Sequence, residues 1–429
     1  MKLVLKYISL LLFVFALSGA TGQEISNSFL FTNMIVYTGN GTIIHDGAVG
    51  VNNGIIDFVG PTTQANPNSY REVISQEGMH LYPGLIAMNT TLGLTEIDAV
   101  RATRDFRETG DMNPNVRAIS AYNAESEIIE TVIINGILFA QISPRGGTIK
   151  GSSSVVKLRG DNWEDSAYKT DEGIIMDWPR TFKRKGDRHD PQGYTADEDY
   201  AKKLNEIKVF FDRASAYAKK ETPVELDLRM EAMRGIFDGS KRLYVSADFI
   251  KEIREIINFK RKFNIKKVSI MGGYDAWMVA DLLKENDISV LLGRVNALPH
   301  LAEDALDGSY ALPAKLAEAG VKFCFTMAGD METMNNRNLP FNIGTAIGYG
   351  LNEQTALSAA TLHAAEVLGI ADRTGSIEVG KEANFVLTTG DIFDMRTSII
   401  KGLYLQGERI ILTTRQENLY KKYKARNSN

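Results

Sequence analysis

From residue 29 to residue 59 apolar and polar positions alternate in short runs, broken by Gly39-Asn40-Gly41 and Asn52-Asn53-Gly54. That period and those turn residues predict antiparallel hairpins. Residues 383–388, 398–405 and 408–412 repeat the pattern near the other end, with Gln406-Gly407 as a turn. Between these blocks the period changes. Residues 268–271 predict a strand, 275–285 a helix, 289–292 a strand, 312–319 a helix and 321–325 a strand. Apolar strands alternating with amphipathic helices are the signature of βα units around a parallel sheet. The span from Pro83 to Asp372 is close to the ~250 residues of a (β/α)₈ barrel with insertions. The expected class is therefore α/β: a (β/α)₈ TIM-like barrel over 83–374, with a small composite β-sandwich built by both chain ends, 27–82 and 375–415. A doubly wound open sheet is the alternative.

Composition narrows the partners. The 429 residues are 44% hydrophobic, enough for one large core, and carry 49 basic against 53 acidic side chains, a net charge of -4. Interspersed charges of both signs make no field suited to nucleic acid or an anionic membrane. The start of the chain reads as a signal peptide over 1–22: Lys2 and Lys6, an apolar run from Ile8 to Leu17, then Ser18, Gly19, Ala20 and Gly22. The run is shorter than the ~20 residues a membrane span needs. Export to the periplasm or beyond is the expectation. The charged segment 178–220, with a helical stretch near 201–219, reads as a solvated face, and the basic tail 421–426 as a frayed end. The single cysteine, Cys324, lies in an apolar run and reads as a small buried hydrophobe.

Two stretches carry a resemblance. Leu81-Tyr-Pro-Gly-Leu-Ile-Ala-Met-Asn-Thr-Thr-Leu-Gly93 is similar to the first barrel strand of the amidohydrolase superfamily, written P-G-L-I-D-x-H-x-H-L-G. Residues 356–390, with Ala360-Thr-Leu-His-Ala-Ala-Glu-Val-Leu-Gly369 and Gly375-Ser-Ile-Glu-Val-Gly-Lys-Glu-Ala-Asn384, resemble the last barrel helix and the return to the sandwich, closest to the imidazolonepropionase-like branch. Gly272-Gly-Tyr-Asp-Ala-Trp277 and Asn338-Leu-Pro340 agree. The resemblance implies metal-assisted hydrolysis of a C–N bond, by one or two ions held at the C-terminal ends of barrel strands.

Carried over residue by residue, the metal motif is degenerate. The two strand-one histidines fall on Asn89 and Thr91, a third on Ser246, and the last-strand aspartate on Ala328, with Asp330 displaced by two positions. Zinc sites use imidazole, carboxylate or thiolate, and amide or hydroxyl oxygens are weak substitutes. Asp330 is left as the candidate catalytic carboxylate. His45, His80, His189, His300 and His363 show no His-x-His or i, i+4 pair; His300 alone is placed to reach the barrel mouth. Lys150, Arg104 and Asp105 join it as candidate ligand-binding residues, the last two in the charged stretch 96–111 after strand one. The expected function is a pseudoenzyme without a cofactor, binding a small molecule, forming homo-oligomers or pairing with a catalytically intact relative. The alternative is an active hydrolase of cyclic amides or dipeptide-like substrates, with zinc or another divalent ion held by a rebuilt site.

Overall fold

A computed structural model describes residues 28–186, 191–221, 223–300, 303–329, 331–411 and 414–427. The leader-like segment 1–22, His189 and Asp330 lie outside the described residues.

The hairpin-rich start forms β1 (Ser28–Tyr37), β2 (Ile43–Asn52), β3 (Ile55–Pro61), β4 (Glu72–Ser75) and β5 (His80–Pro83). Asn53 and Gly54 both hold positive φ, 51° and 78°, as the two-residue β2–β3 turn requires. The late block gives β16 (Phe385–Thr388), β17 (Ile400–Leu405) and β18 (Glu408–Arg409). All eight join one sheet in the order β18-β17-β16-β5-β1-β2-β3, with β4 beside β1. The two chain ends meet where β16 runs antiparallel to β5, Phe385 opposite Pro83. Phe31, Phe385 and Tyr404 pack edge to face in the core of this sheet.

The second eight-stranded sheet is the barrel: β6 (Leu85–Thr90), β7 (Ile137–Ile142), β8 (Ile149–Lys157), β9 (Ala167–Asp177), β12 (Arg242–Ala247), β13 (Val268–Gly272), β14 (Ile288–Leu292) and β15 (Phe323–Phe325). A bridge between Met88 and Thr326 brings its two edges together, parallel to one another. Helices Ile250–Phe263, Ala280–Glu285 and Gly308–Glu318 return the chain between successive parallel strands, the last two as the periodicity predicts. One strand departs from the eightfold pattern: β8 runs antiparallel to both β7 and β9. Only residues 143–148 separate β7 from β8, and a parallel crossover needs a dozen or more. Gly146 and Gly147, with φ of 85° and 75°, make the reversal.

Between β9 and β12 lie a two-stranded hairpin, β10 (Phe182–Gly186) and β11 (Pro191–Ala196), and the helices Tyr200–Ala218 and Leu228–Asp238. The basic tail corrects the expectation of a frayed end. It belongs to a helix, Arg415–Asn427, that buries no residue and is tied by Arg415 to Glu127 at 2.7 Å. Its run of Lys and Arg suits a solvated helix as well as a coil, so composition alone does not separate the two. Among the described residues no helix is long and apolar enough to cross a membrane. Cys324 is fully buried in β15, and burial pushes its thiol up to about 12.

The barrel interior is not wholly apolar. The carboxyl of Glu172 (β9) is buried and takes hydrogen bonds from Gln141 Nε2 (2.7 Å), Ser153 Oγ (2.5 Å) and Tyr244 OH (2.9 Å). Burial still raises its pKa above the ordinary 4.5, against the pull of the three donors. The neutral form therefore stabilises the fold fully below pH 4.5, and that contribution is lost as pH rises through the folded-state value. Urea denaturation of wild type and Glu172→Gln across pH 4 to 8 should show the wild type losing stability relative to the variant as pH rises. A pH-independent difference would contradict the assignment.

Candidate functional site at the barrel mouth

At its C-terminal end β6 leaves the regular ladder. The register with β7 slips between Ala87 and Thr90, and Asn89 takes the left-handed conformation, φ 50°, which asparagine tolerates better than most residues. Two long side chains hold it there. Gln141 Oε1 accepts from the Asn89 N–H (3.1 Å), and Arg145 Nη2 donates to the Asn89 carbonyl (2.9 Å). Gln141 is the same residue that donates to Glu172, so the buried network of the barrel interior reaches the mouth.

Arg145 follows β7 and does more than this. Its Nη2 also donates to Glu332 at 2.9 Å, and its Nη1 to the carbonyls of Ser143 and Pro144 at 3.2 Å each. Glu332 begins the short helix Glu332–Asn335 beyond the last strand, and its other oxygen accepts from the Gly329 N–H (3.1 Å). The same segment contacts the end of β6 twice more: Asn336 Nδ2 donates to Thr90 Oγ1 (2.7 Å), and Thr91 and Thr333 share a hydroxyl hydrogen bond (2.8 Å). Three polar links thus fasten the first strand to the chain beyond the last, where the backbone ladder supplies a single bridge.

Above this seam opens a cavity of about 470 Å³. Its walls include Asn89, Ser246, Met271, Leu292 and Ala328 from the strand ends, with Arg180, Asp248, Arg294 and His300 from the loops. Of the positions singled out by sequence, Asn89, Ser246, Ala328 and His300 come together here. The His300 ring stacks on Tyr274, centroids 4.2 Å apart, and its carbonyl accepts from Tyr194 of the β10–β11 hairpin (3.1 Å). Thr91 faces the seam instead. Lys150 pairs with Asp177 at 2.7 Å beside the Arg145–Glu332 pair; burial lowers its pKa, partly offset by Asp177. Arg104 and Asp105 are exposed and do not line the cavity. The remaining described histidines lie elsewhere, His45 in β2, His80 in β5 and His363 in a helix.

The side chains at the metal-ligand positions supply an amide, two hydroxyls and a methyl group. Among the described residues no three His, Cys, Asp or Glu side chains converge to hold a metal ion. The Asn89 carbonyl is itself already engaged by the Arg145 guanidinium, which is paired with Glu332. Among the described residues, the donor set at these positions does not fit a divalent ion.

Sequence reasoning passed over Arg145, Glu332, Arg180 and Asp248. Arg145 and Glu332 are 187 positions apart, so no local spacing marks them.

An Amidohydrolase family model matches residues 275–410. An imidazolonepropionase from Syntrophobacter fumaroxidans is 39% identical over 82 residues, 19% of each chain. One from Picrophilus torridus is 22% identical over 409 residues, covering 87% of this chain and 94% of the relative. The alignments to the Syntrophobacter protein and to two further imidazolonepropionases, from Thermoplasma species, span only 19% to 33% of those proteins' lengths. In structure, an amidohydrolase from Thermotoga maritima MSB8 superposes with a TM-score of 0.75 at 24% identity, covering 90% of this chain and all of that one. A Xaa-Pro dipeptidase superposes at 0.55 with 15% identity. These matches show that residues 275–410 are similar to the Amidohydrolase family, that the longer alignments are to imidazolonepropionases, and that the fold is that of an amidohydrolase barrel.

The Arg145–Glu332 pair is mostly buried, the two side chains 19% and 10% exposed. Removing one partner of a buried pair leaves an uncompensated charge. Arg145→Met should cost about 3 kcal/mol in chemical denaturation, and Arg145→Met with Glu332→Met should recover most of that loss. Equal stability of wild type and the single variant would show that the pair is not holding the seam.

Proposed function

We propose that this chain is a superfamily member that binds a small organic ligand at its barrel mouth without a catalytic divalent metal. It acts alone, as a homo-oligomer, or as the partner of a catalytically intact relative. The observation that supports this reading is the set of side chains at the ligand positions: Asn89, Ser246 and Ala328 line one cavity, and a guanidinium is bonded to the first of them. Amide and hydroxyl oxygens make a poor site for zinc and a serviceable one for hydrogen bonding. Export of the mature chain to the periplasm or beyond belongs to the same proposal and is supported by the leader-like pattern over 1–22.

A second reading is favoured by the names of the relatives. It is hydrolysis of a non-peptide C–N bond in a cyclic amide or dipeptide-like substrate, with Asp330 as the base. Under it, Asp330→Asn abolishes turnover.

Elemental analysis separates the two. Protein dialysed against zinc or manganese and then desalted should retain far less than one ion per chain, and its thermal midpoint should be unchanged by EDTA. Stoichiometric metal accompanied by turnover of a cyclic amide would overturn the first reading and establish the second.

A further inference from the structure

The last helix, Arg415–Asn427, buries none of its thirteen residues against its own chain. An ion pair on the surface, Arg415 to Glu127, ties it to the body, and such a pair adds little. Isolated helices of ~12–15 residues are marginal in water, because most helical stability in proteins comes from packing an apolar face. This helix has such a face. Tyr420 and Tyr423, at i and i+3, are 63% and 52% exposed. Lys424 and Arg426 reach over the two rings, 5.6 and 5.7 Å from the centroids, without burying them.

Beside the root of the helix, where Thr414 and Glu417 line it, runs a groove of about 820 Å³ along β17 and β18. Its lining includes Ile399, Ile400, Ile410 and Ile411, of which Ile399 and Ile411 are 54% and 78% exposed. Tyr420 follows Glu417 by one helical turn, so the tyrosines and the groove belong to one continuous face.

Charge selects what covers that face. Five cations against Glu417 give the helix +4 in a chain whose total is -4, which leaves -8 on the remainder. An anionic lipid surface would also meet that remainder, including Glu125, Glu127 and Glu130 in a second cleft against the helix. A second copy of the chain offers the helix both an acidic body and an apolar groove. We propose that this face is the interface of a homodimer, in which Tyr420 and Tyr423 of each copy enter the groove of the other. A face that carries both the projecting rings and the groove is self-complementary about a two-fold axis, as an isologous interface requires. The dimer goes beyond the reading of the barrel mouth and is independent of what the mouth binds.

Sedimentation equilibrium of the full-length protein at micromolar concentration should give twice the chain mass. Tyr420→Ala combined with Tyr423→Ala, and separately Ile411→Asp, should each weaken the dimer by about tenfold or more. These side chains are exposed in the single chain, so the variants should keep the wild-type circular dichroism. Val224→Asp, at a fully exposed position outside this face, should leave the dimer unchanged. Amide hydrogen exchange over residues 415–427 should be slow in the dimer and fast after dilution to the monomer. The proposal fails if the wild type is monomeric, if the tyrosine and Ile411 variants dimerise as wild type does, if Val224→Asp weakens the dimer as much as they do, or if dilution leaves the exchange unchanged. A monomer that pellets with phosphatidylglycerol vesicles would overturn it in favour of a lipid surface. None of these readouts depends on metal or on a ligand at the mouth, so failure here is distinguishable from failure of the mouth reading.

Discussion

The mouth of this barrel depends on the Arg145–Glu332 ion pair. A closed barrel needs its first and last strands joined, and here β15 is only three residues long and, among the described residues, the next one, Thr326, makes the one backbone bridge to β6. Backbone pairing that sparse leaves the closing task to side chains. Arg145 reaches the end of β6, the β7–β8 reversal and the segment after β15 with one planar group, a geometry that a flexible lysine would not reproduce. In a metal-dependent barrel, ions at the strand ends draw ligands from several strands to one point. In this chain a guanidinium gathers carbonyls and a carboxylate at the corresponding end of the barrel, and the histidines that would compete for that place are absent from positions 89 and 91.

That arrangement is continuous with the barrel's interior. Gln141 binds Asn89 through its oxygen and Glu172 through its nitrogen, and Glu172 in turn receives Ser153 and Tyr244. Polar groups in a core are tolerated when each is satisfied, and a satisfied network specifies one packing more sharply than apolar contact does. The left-handed turn at Asn89 is therefore held from below by the core and from the side by the seam. The loops that surround it remain free to present Arg180, Asp248 and His300 to the cavity, the usual division between a rigid scaffold and the segments that meet a ligand.

The antiparallel β8 follows from the same economy of chain. Its first residues, Ile149 and Lys150, start at the mouth because the connection from β7 is too short to return to the far end. This puts Lys150 beside Asp177 and close to Arg145. The eightfold βα pattern would have put a strand's N-terminus, and so a different residue, at the opposite end.

Local pattern was sufficient for much of this protein. The alternation at both ends, the turn residues at 53–54 and 406–407, and the βα rhythm from 268 to 325 are set by neighbours a few positions apart, where strand and helix periods and turn chemistry act directly. The residue types at Asn89, Thr91, Ser246 and Ala328 were legible too, because they are read directly at motif positions. The tertiary structure decided the rest. The pairing of Arg145 with Glu332 and the meeting of Arg180, Asp248 and Asn89 around one cavity join segments far apart in the chain. Nothing in the spacing of such residues records which will be neighbours, because barrel closure, not local preference, brings them together.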